Sequence, residues 1–238
     1  EIKLIEQLRD NVKNLNFNQL SSMEWLENQK TLQSNIINSD PRNFTNWPII
    51  QHTMFHYAKR IELIEIKQSP KWDILKKGII ENKVGNPSRY HLDFGSSGNL
   101  IHLAYSLKQL LDKEDFDIEK VNQIFEFGGG YGRFCKLIYD IGYNKYYTIY
   151  DFPIFNHLQK YYLKSLEDNI MFSRINFISG EIKIPDKMDF FISLWGISET
   201  PFKLRDKIFG MLNQTKYVLI AYQEEFSGMN NVKYFSEI

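Results

Sequence analysis

One cysteine, Cys135, stands in 238 residues, which excludes an internal disulfide and a metal centre built from cysteines. Neither sign of charge predominates: 29 Lys and Arg face 29 Asp and Glu. A nucleic-acid binder ordinarily carries a basic excess that meets phosphates, so nucleic acid is not an expected partner. No apolar run approaches the ~20 residues that cross a bilayer; the longest lie around Phe190–Leu194 and Tyr217–Tyr222. No charged-then-apolar leader is visible in the sequence given, so the expectation is a cytoplasmic protein without a membrane span. Internal repeats and low-complexity tracts are also missing.

What is present suffices for a packed core. Hydrophobic residues make up 43% of the chain and charged residues 24%, the composition of a globular domain. Two halves differ in character. Residues 1–118 read as helical: Ile5, Leu8, Val12 and Leu15 recur at spacings of three and four. Ser21 followed by Glu24 reads as a capping box, with Leu20 stapled onto Trp25. Asp40-Pro41 marks a turn or a new helix, and Pro87 and Gly95 to Gly98 mark loops. Over 99–111, Leu100, Leu103, Leu107, Leu110 and Leu111 share one face, which turns His102 toward either water or a pocket.

Residues 119–238 alternate short β-type runs with helical stretches. The runs are 123–127, 146–150, 175–179, 189–194 and 217–222. Phe134, Leu137, Ile138 and Ile141 give a helical stripe closed by Gly142, while Pro153 and Pro201 sit where helices begin. Five strands separated by helices predict an α/β, Rossmann-like parallel sheet carrying a helical amino-terminal extension.

The strongest chemical signal is Glu126-Phe127-Gly128-Gly129-Gly130-Tyr131-Gly132, at the end of the first strand. Glycines there let the chain turn sharply and let a ligand lie against the backbone. Glu126 offers an acceptor to a ligand ammonium group; the plain alternative is a strand-to-helix turn. A dinucleotide loop, G-x-G-x-x-G/A, would need a small residue at Arg133. The spacing therefore favours S-adenosylmethionine over a nicotinamide cofactor. Asp151, ending the second strand, is placed to take ribose hydroxyls, or simply to favour the start of the next helix. Glu181, after the third strand, is either an adenine contact or an exposed loop acid.

The run FEFGGGYGRFCKLIYDIGYNKYYTIYDFP resembles the first two motifs of class I S-adenosylmethionine-dependent methyltransferases. More narrowly it resembles the sugar O-methyltransferase family, echoed at 40–56, 96–107, 192–201 and 222–235. The resemblance implies methyl transfer to a hydroxyl of a saccharide or surface-glycan precursor. Because His102 lies off the leucine stripe and the loop at 95–98 is rich in small residues, residues 1–118 are expected to form a cap and acceptor pocket over a cofactor domain at 119–238. Glu126, Gly128, Gly129, Gly130, Tyr131, Gly132, Asp151, Phe152 and Glu181 become the expected cofactor contacts. Methyltransferases of this fold usually end in two further strands; this chain stops about sixteen residues after the fifth, so the last two are expected to be missing.

A sugar hydroxyl is a weak nucleophile and needs a base. The candidates are His52, His102 and Glu199, with His56 and Glu224 behind them. His52 and His56, four apart, would share a helix face, but Thr53 stands where a zinc-protease glutamate would be. No aspartate cluster is seen, so no metal is expected. Two alternatives stay open: a catalytically silent protein that binds S-adenosylmethionine, and an NAD(P)-dependent oxidoreductase on a similar sheet.

Overall fold

The structure, a computed structural model, describes residues 1–17, 22–89, 95–182, 185 and 187–237. Five strands form the central sheet: β1 (Gln123–Phe127), β2 (Tyr146–Tyr150), β3 (Ile175–Ile178), β4 (Phe190–Leu194) and β5 (Tyr217–Ala221). Their order is β3-β2-β1-β4-β5 and every pairing is parallel. This is the Rossmann-like α/β sheet that the sequence predicts. Ser179, Asp189 and Tyr222 fall just outside the strands. Asp189 instead accepts from the Asn122 N–H and from Lys216 at the opposite edge.

Period-two alternation divides β1 between two cores. Ile124 packs into the large cluster that also holds Ile5, Leu32, Ile50, Leu107 and Leu137. Phe125 and Phe127 pack on the other face with Phe191 and Ile208. The large cluster therefore includes side chains from the amino-terminal helices and from the sheet, with no gap in apolar packing between them.

Those helices are α1 (Ile2–Lys13), α2 (Met23–Asn38), α3 (Pro48–Met54), α4 (Arg60–Gln68), α5 (Trp72–Gly78) and α6 (Gly98–Leu111). The cap of α2 is Ser22, whose hydroxyl accepts the Trp25 N–H; the expected Ser21 cap and Leu20 staple lie outside the described residues. Asp40 caps a 3₁₀ turn over Pro41–Asn46. On α6 the leucine stripe is buried except for the half-buried Leu110, and Ile101 and Ala104 are buried as well. One expectation is corrected: His52 and His56 do not share a helix face. The backbone turns extended at Phe55, which leaves His52 on α3 and carries His56 beyond it.

Between the strands run α7 (Arg133–Asp140), α8 (Pro153–Lys164), the short α9 (Asn169–Phe172) and α10 (Phe202–Met211). After β5 the chain makes a ribbon absent from the sequence reading. Two-residue strands β6 (Glu225–Phe226) and β7 (Met229–Asn230) pair antiparallel as a sheet of their own, followed by α11 (Asn231–Ser236). Among the described residues the main sheet ends at β5, as expected. Arg205 anchors the ribbon: its buried guanidinium donates to the Ser198 and Thr200 carbonyls and to Asn231 Oδ1. No helix of the described residues is long and apolar enough to cross a membrane.

Arg133, the first residue of α7, joins the two halves. Its Nε lies 2.9 Å from Glu81 Oε1, and both side chains are almost wholly buried. Glu81 Oε2 accepts from Ser97 at 2.7 Å, and Ser97 in turn caps α6 through the Leu100 N–H. Removing one member of a buried pair strands the other charge, at about 3–5 kcal/mol. Arg133→Met is accordingly expected to lose that much stability in urea unfolding, and Arg133→Met/Glu81→Leu to recover part of it. A single variant as stable as the double would show that the pair does not carry this junction.

Candidate functional site

At the carboxyl end of β1 the chain enters the glycine turn. Gly128, Gly130 and Gly132 have φ of +77°, +56° and +93°, values that β-carbons disfavour. A β-carbon on Gly128 would lie 3.0 Å from the Gly196 Cα, so the turns after β1 and β4 touch backbone to backbone. Over Gly130 the nearest atom to such a carbon is Met54 Sδ, at 3.4 Å. Tyr131 turns inward, edge-on to Phe44 and Tyr162 at 5.2 and 5.1 Å.

The two acids of the turn are occupied by the protein itself. Glu126 sits behind the loop, where the Tyr147 hydroxyl donates to Oε2 at 2.9 Å. Burial pushes its carboxyl up to about 8. Asp151 accepts the Gly130 N–H at 3.1 Å, the Phe152 N–H at 2.8 Å and Gln159 Nε2 at 3.0 Å. The Gly129 N–H also lowers its proton affinity, so most of the roughly four acceptor positions of a carboxylate are taken. Asp151 thus pins the glycine turn to the end of β2, and any ribose hydroxyl would share it with those donors. Burial raises its carboxyl to about 7 against the opposing pull of these groups.

Residues 54–58 run from α3 across the mouth of the sheet and deliver His56. Its ring stacks on Trp195 at 3.8 Å, and His102 lies 5.2 Å from each of those two rings. Trp195 holds φ +66° at the end of β4, a conformation that costs a non-glycine residue of order 1–3 kcal/mol. Burial, then the neighbouring His102, lowers His56 to about 4, so it stays neutral at pH 7. His102 Nδ1 lies 3.0 Å from both carboxylate oxygens of the buried Glu62 on α4. Facing a carboxylate, that nitrogen carries the proton and donates, which in neutral His102 leaves Nε2 as the acceptor.

Glu199, in the 3₁₀ turn Gly196–Glu199, occupies another corner. Gln223 donates to it at 3.1 Å, and the neighbouring Trp25 side chain also lowers its proton affinity. Burial raises Glu199 to about 7, with Glu24 adding repulsion. Phe152 lies 6.0 Å from Trp25, ring to ring.

The structure therefore gathers the glycine turn, Glu126, Asp151, Phe152, His56, His102 and Glu199 on one rim of the sheet. It leaves His52, Glu181 and Glu224 exposed. Sequence reasoning missed Glu62, Gln159, Gly196 and the role of Trp25. Only Gly196, directly after a strand, carried a local signal. Among the described residues no group of three or more His, Cys, Asp or Glu could hold a metal ion.

No family profile and no curated protein sequence matches this chain. Among solved structures, a mitomycin 7-O-methyltransferase is similar at 12% identity and a TM-score of 0.43, over 86% of this chain and 57% of that one. A coclaurine N-methyltransferase is similar at 11% identity and a TM-score of 0.41, over 92% and 61%. Likeness of that size carries no argument about substrate, which rests on the chemistry of the rim.

The buried groups set a pH dependence. Below pH 6.5 the depressed His56 and the raised acids act in opposite directions, since the unfolded chain holds the histidine proton and the folded chain the carboxyl protons. Above pH 6.5 only the acids remain, and stability falls as pH rises through about 7 and 8. Each acid contributes a slope of up to about 1.4 kcal/mol per pH unit. Urea midpoints are expected to drop between pH 6.5 and 9, and Glu126→Gln to remove most of the drop above pH 7.5. An unchanged slope in that variant would contradict the assignment.

Proposed function

We propose that this chain is an S-adenosylmethionine-dependent methyltransferase that acts on a hydroxyl of a sugar or surface-glycan precursor. The observation that carries the reading is one rim on which a carboxylate-braced, left-handed glycine turn faces a histidine–glutamate pair. The space over Gly130 suits a ligand, because the atoms nearest a β-carbon there are those of the Met54 side chain, whose unbranched thioether adapts readily. Arg133 stands where a dinucleotide loop packs its third glycine, and its side chain is committed to Glu81. That weighs against an oxidoreductase. A silent binding protein would have no use for an oriented imidazole.

When bound, S-adenosylmethionine supplies the activated methyl group on a sulfonium. The residues of the chain supply alignment, dryness and proton transfer. The glycine turn lets the backbone approach the cofactor, and Asp151 fixes that turn. Phe152 lines the cofactor side, while residues 1–118 act as the cap over the cofactor domain at 119–238. His102 takes the hydroxyl proton on Nε2, and Glu62 holds the ring and stabilises the imidazolium that results. His56, neutral and stacked on Trp195, keeps a second positive charge away from it. No metal enters this scheme.

Calorimetry tests the cofactor: S-adenosylmethionine and S-adenosylhomocysteine are expected to bind, and NAD is not. Transfer of labelled methyl to a panel of free and nucleotide-linked sugars tests the chemistry. His102→Ala is expected to cut turnover by about 10²–10⁴-fold while cofactor affinity survives. Full turnover in that variant would remove His102 from the mechanism, and binding of NAD alone would overturn the proposal.

A further inference from the structure

The amino-terminal end of α2 makes three contacts that its own folding does not require. The Trp25 side chain lies beside Glu199 and lowers its proton affinity against burial, its ring packs 6.0 Å from Phe152 and 5.8 Å from Phe155, and Glu24 accepts from the Ser227 hydroxyl at 3.2 Å. Phe152 follows β2 and Glu199 follows β4, and these two strands flank β1 in the sheet. Adjacent strands lie about 4.8 Å apart, so the ends of β2 and β4 are separated by roughly 10 Å. A side chain that touches both spans the mouth above β1, where the glycine turn lies.

The far anchor is itself held in place. Glu199 accepts from Gln223 Nε2, and Gln223 Oε1 accepts from the Ser198 hydroxyl at 2.6 Å. Gln223 leads into the β6–β7 ribbon, which also carries Ser227. The ribbon therefore carries Ser227 and steadies Glu199, two of the points that the amino-terminal end of α2 meets.

We propose that Trp25 is the outer wall of the cofactor site, a strap latched to Glu199 under which the adenosyl group is retained. The proposal rests on the methyltransferase reading and assigns Glu199 a different task from the proton transfer that its sequence position suggests. A latch needs only an acceptor for an indole N–H, whereas a base needs an ionisable carboxylate. The two roles separate on one substitution, because Glu199→Gln keeps an acceptor and loses the base.

The probe is S-adenosylhomocysteine, with affinity read by calorimetry and dissociation rate by displacement. Trp25→Ala is expected to raise the dissociation rate about tenfold or more, since interface changes act mostly on that rate. Trp25→Phe and Glu199→Ala should each raise it severalfold, and their combination no further than the larger single effect, as expected of one shared bond. Glu199→Gln should stay near the native rate. Dissociation unchanged in all four variants, with normal affinity in the native chain, would overturn the strap and leave the cofactor reading standing. Glu199→Gln behaving like Glu199→Ala would overturn the latch. No binding by the native chain or any variant would overturn both readings, whereas binding only after Trp25→Ala would support a strap shut over the site.

Discussion

The buried pair of Arg133 and Glu81 is the constraint from which the site's geometry follows. A buried charge is tolerable only when paired and hydrogen-bonded, so each partner dictates where the other's backbone must lie. Arg133 directly follows the glycine turn, and Glu81 belongs to the segment between α5 and α6. The second oxygen of Glu81 holds Ser97, the cap of α6. Five residues further along that rigid helix stands His102. The imidazole is therefore placed relative to the glycine turn by directional polar bonds rather than by apolar packing alone, which tolerates slippage.

The left-handed Trp195 belongs to the same construction. Its N–H reaches the Ala221 carbonyl at 2.7 Å, and the turn that follows brings Gly196 against Gly128. With that backbone approach fixed, the indole offers a flat surface to His56 and His102. Stacked rings exclude water from each other's faces and hold χ angles that solvent would leave free. A strained residue persists where its surroundings over-determine it, and here the surroundings are two strand ends and two imidazoles.

The sheet was legible because its strands read as short, mostly apolar runs, the central ones covered on both faces, and three of them lead into Gly128, Asp151 and Gly196. The glycine turn announced itself through composition. Partnerships that span sequence were not legible. Glu62 and His102 lie forty residues apart on different helices, and neither carries a local mark of the other. Asp151 looked like an open acceptor because its donors come from Gly130 and Gln159, which only the fold brings near. His56 left its helix at Phe55 without a glycine or proline to signal the break. The β6–β7 ribbon, with two residues per strand, is too short for any periodic pattern and depends on Arg205 and Asn231 instead.

Three carboxylates on this rim, Glu126, Asp151 and Glu199, hold their protons more tightly than carboxylates in water. The groups that act most on them are hydrogen-bond donors of the backbone, Tyr147, Gln159, Gln223 and Trp25, together with other acids. The guanidinium nearest the turn is committed to Glu81. Among the described residues, none of the groups that act most on these carboxylates is a cation, in a setting where water screens little. A cation entering it meets acids whose ionisation becomes favourable at the same moment, and linkage makes the exchange reciprocal: the cation lowers their proton affinity, and their ionisation raises its affinity. A sulfonium with an ammonium group is a ligand of that kind, whereas a dinucleotide pyrophosphate would draw no such ionisation and would raise those proton affinities further. The electrostatics of the rim thus point the same way as the spacing of its glycines, from independent physics.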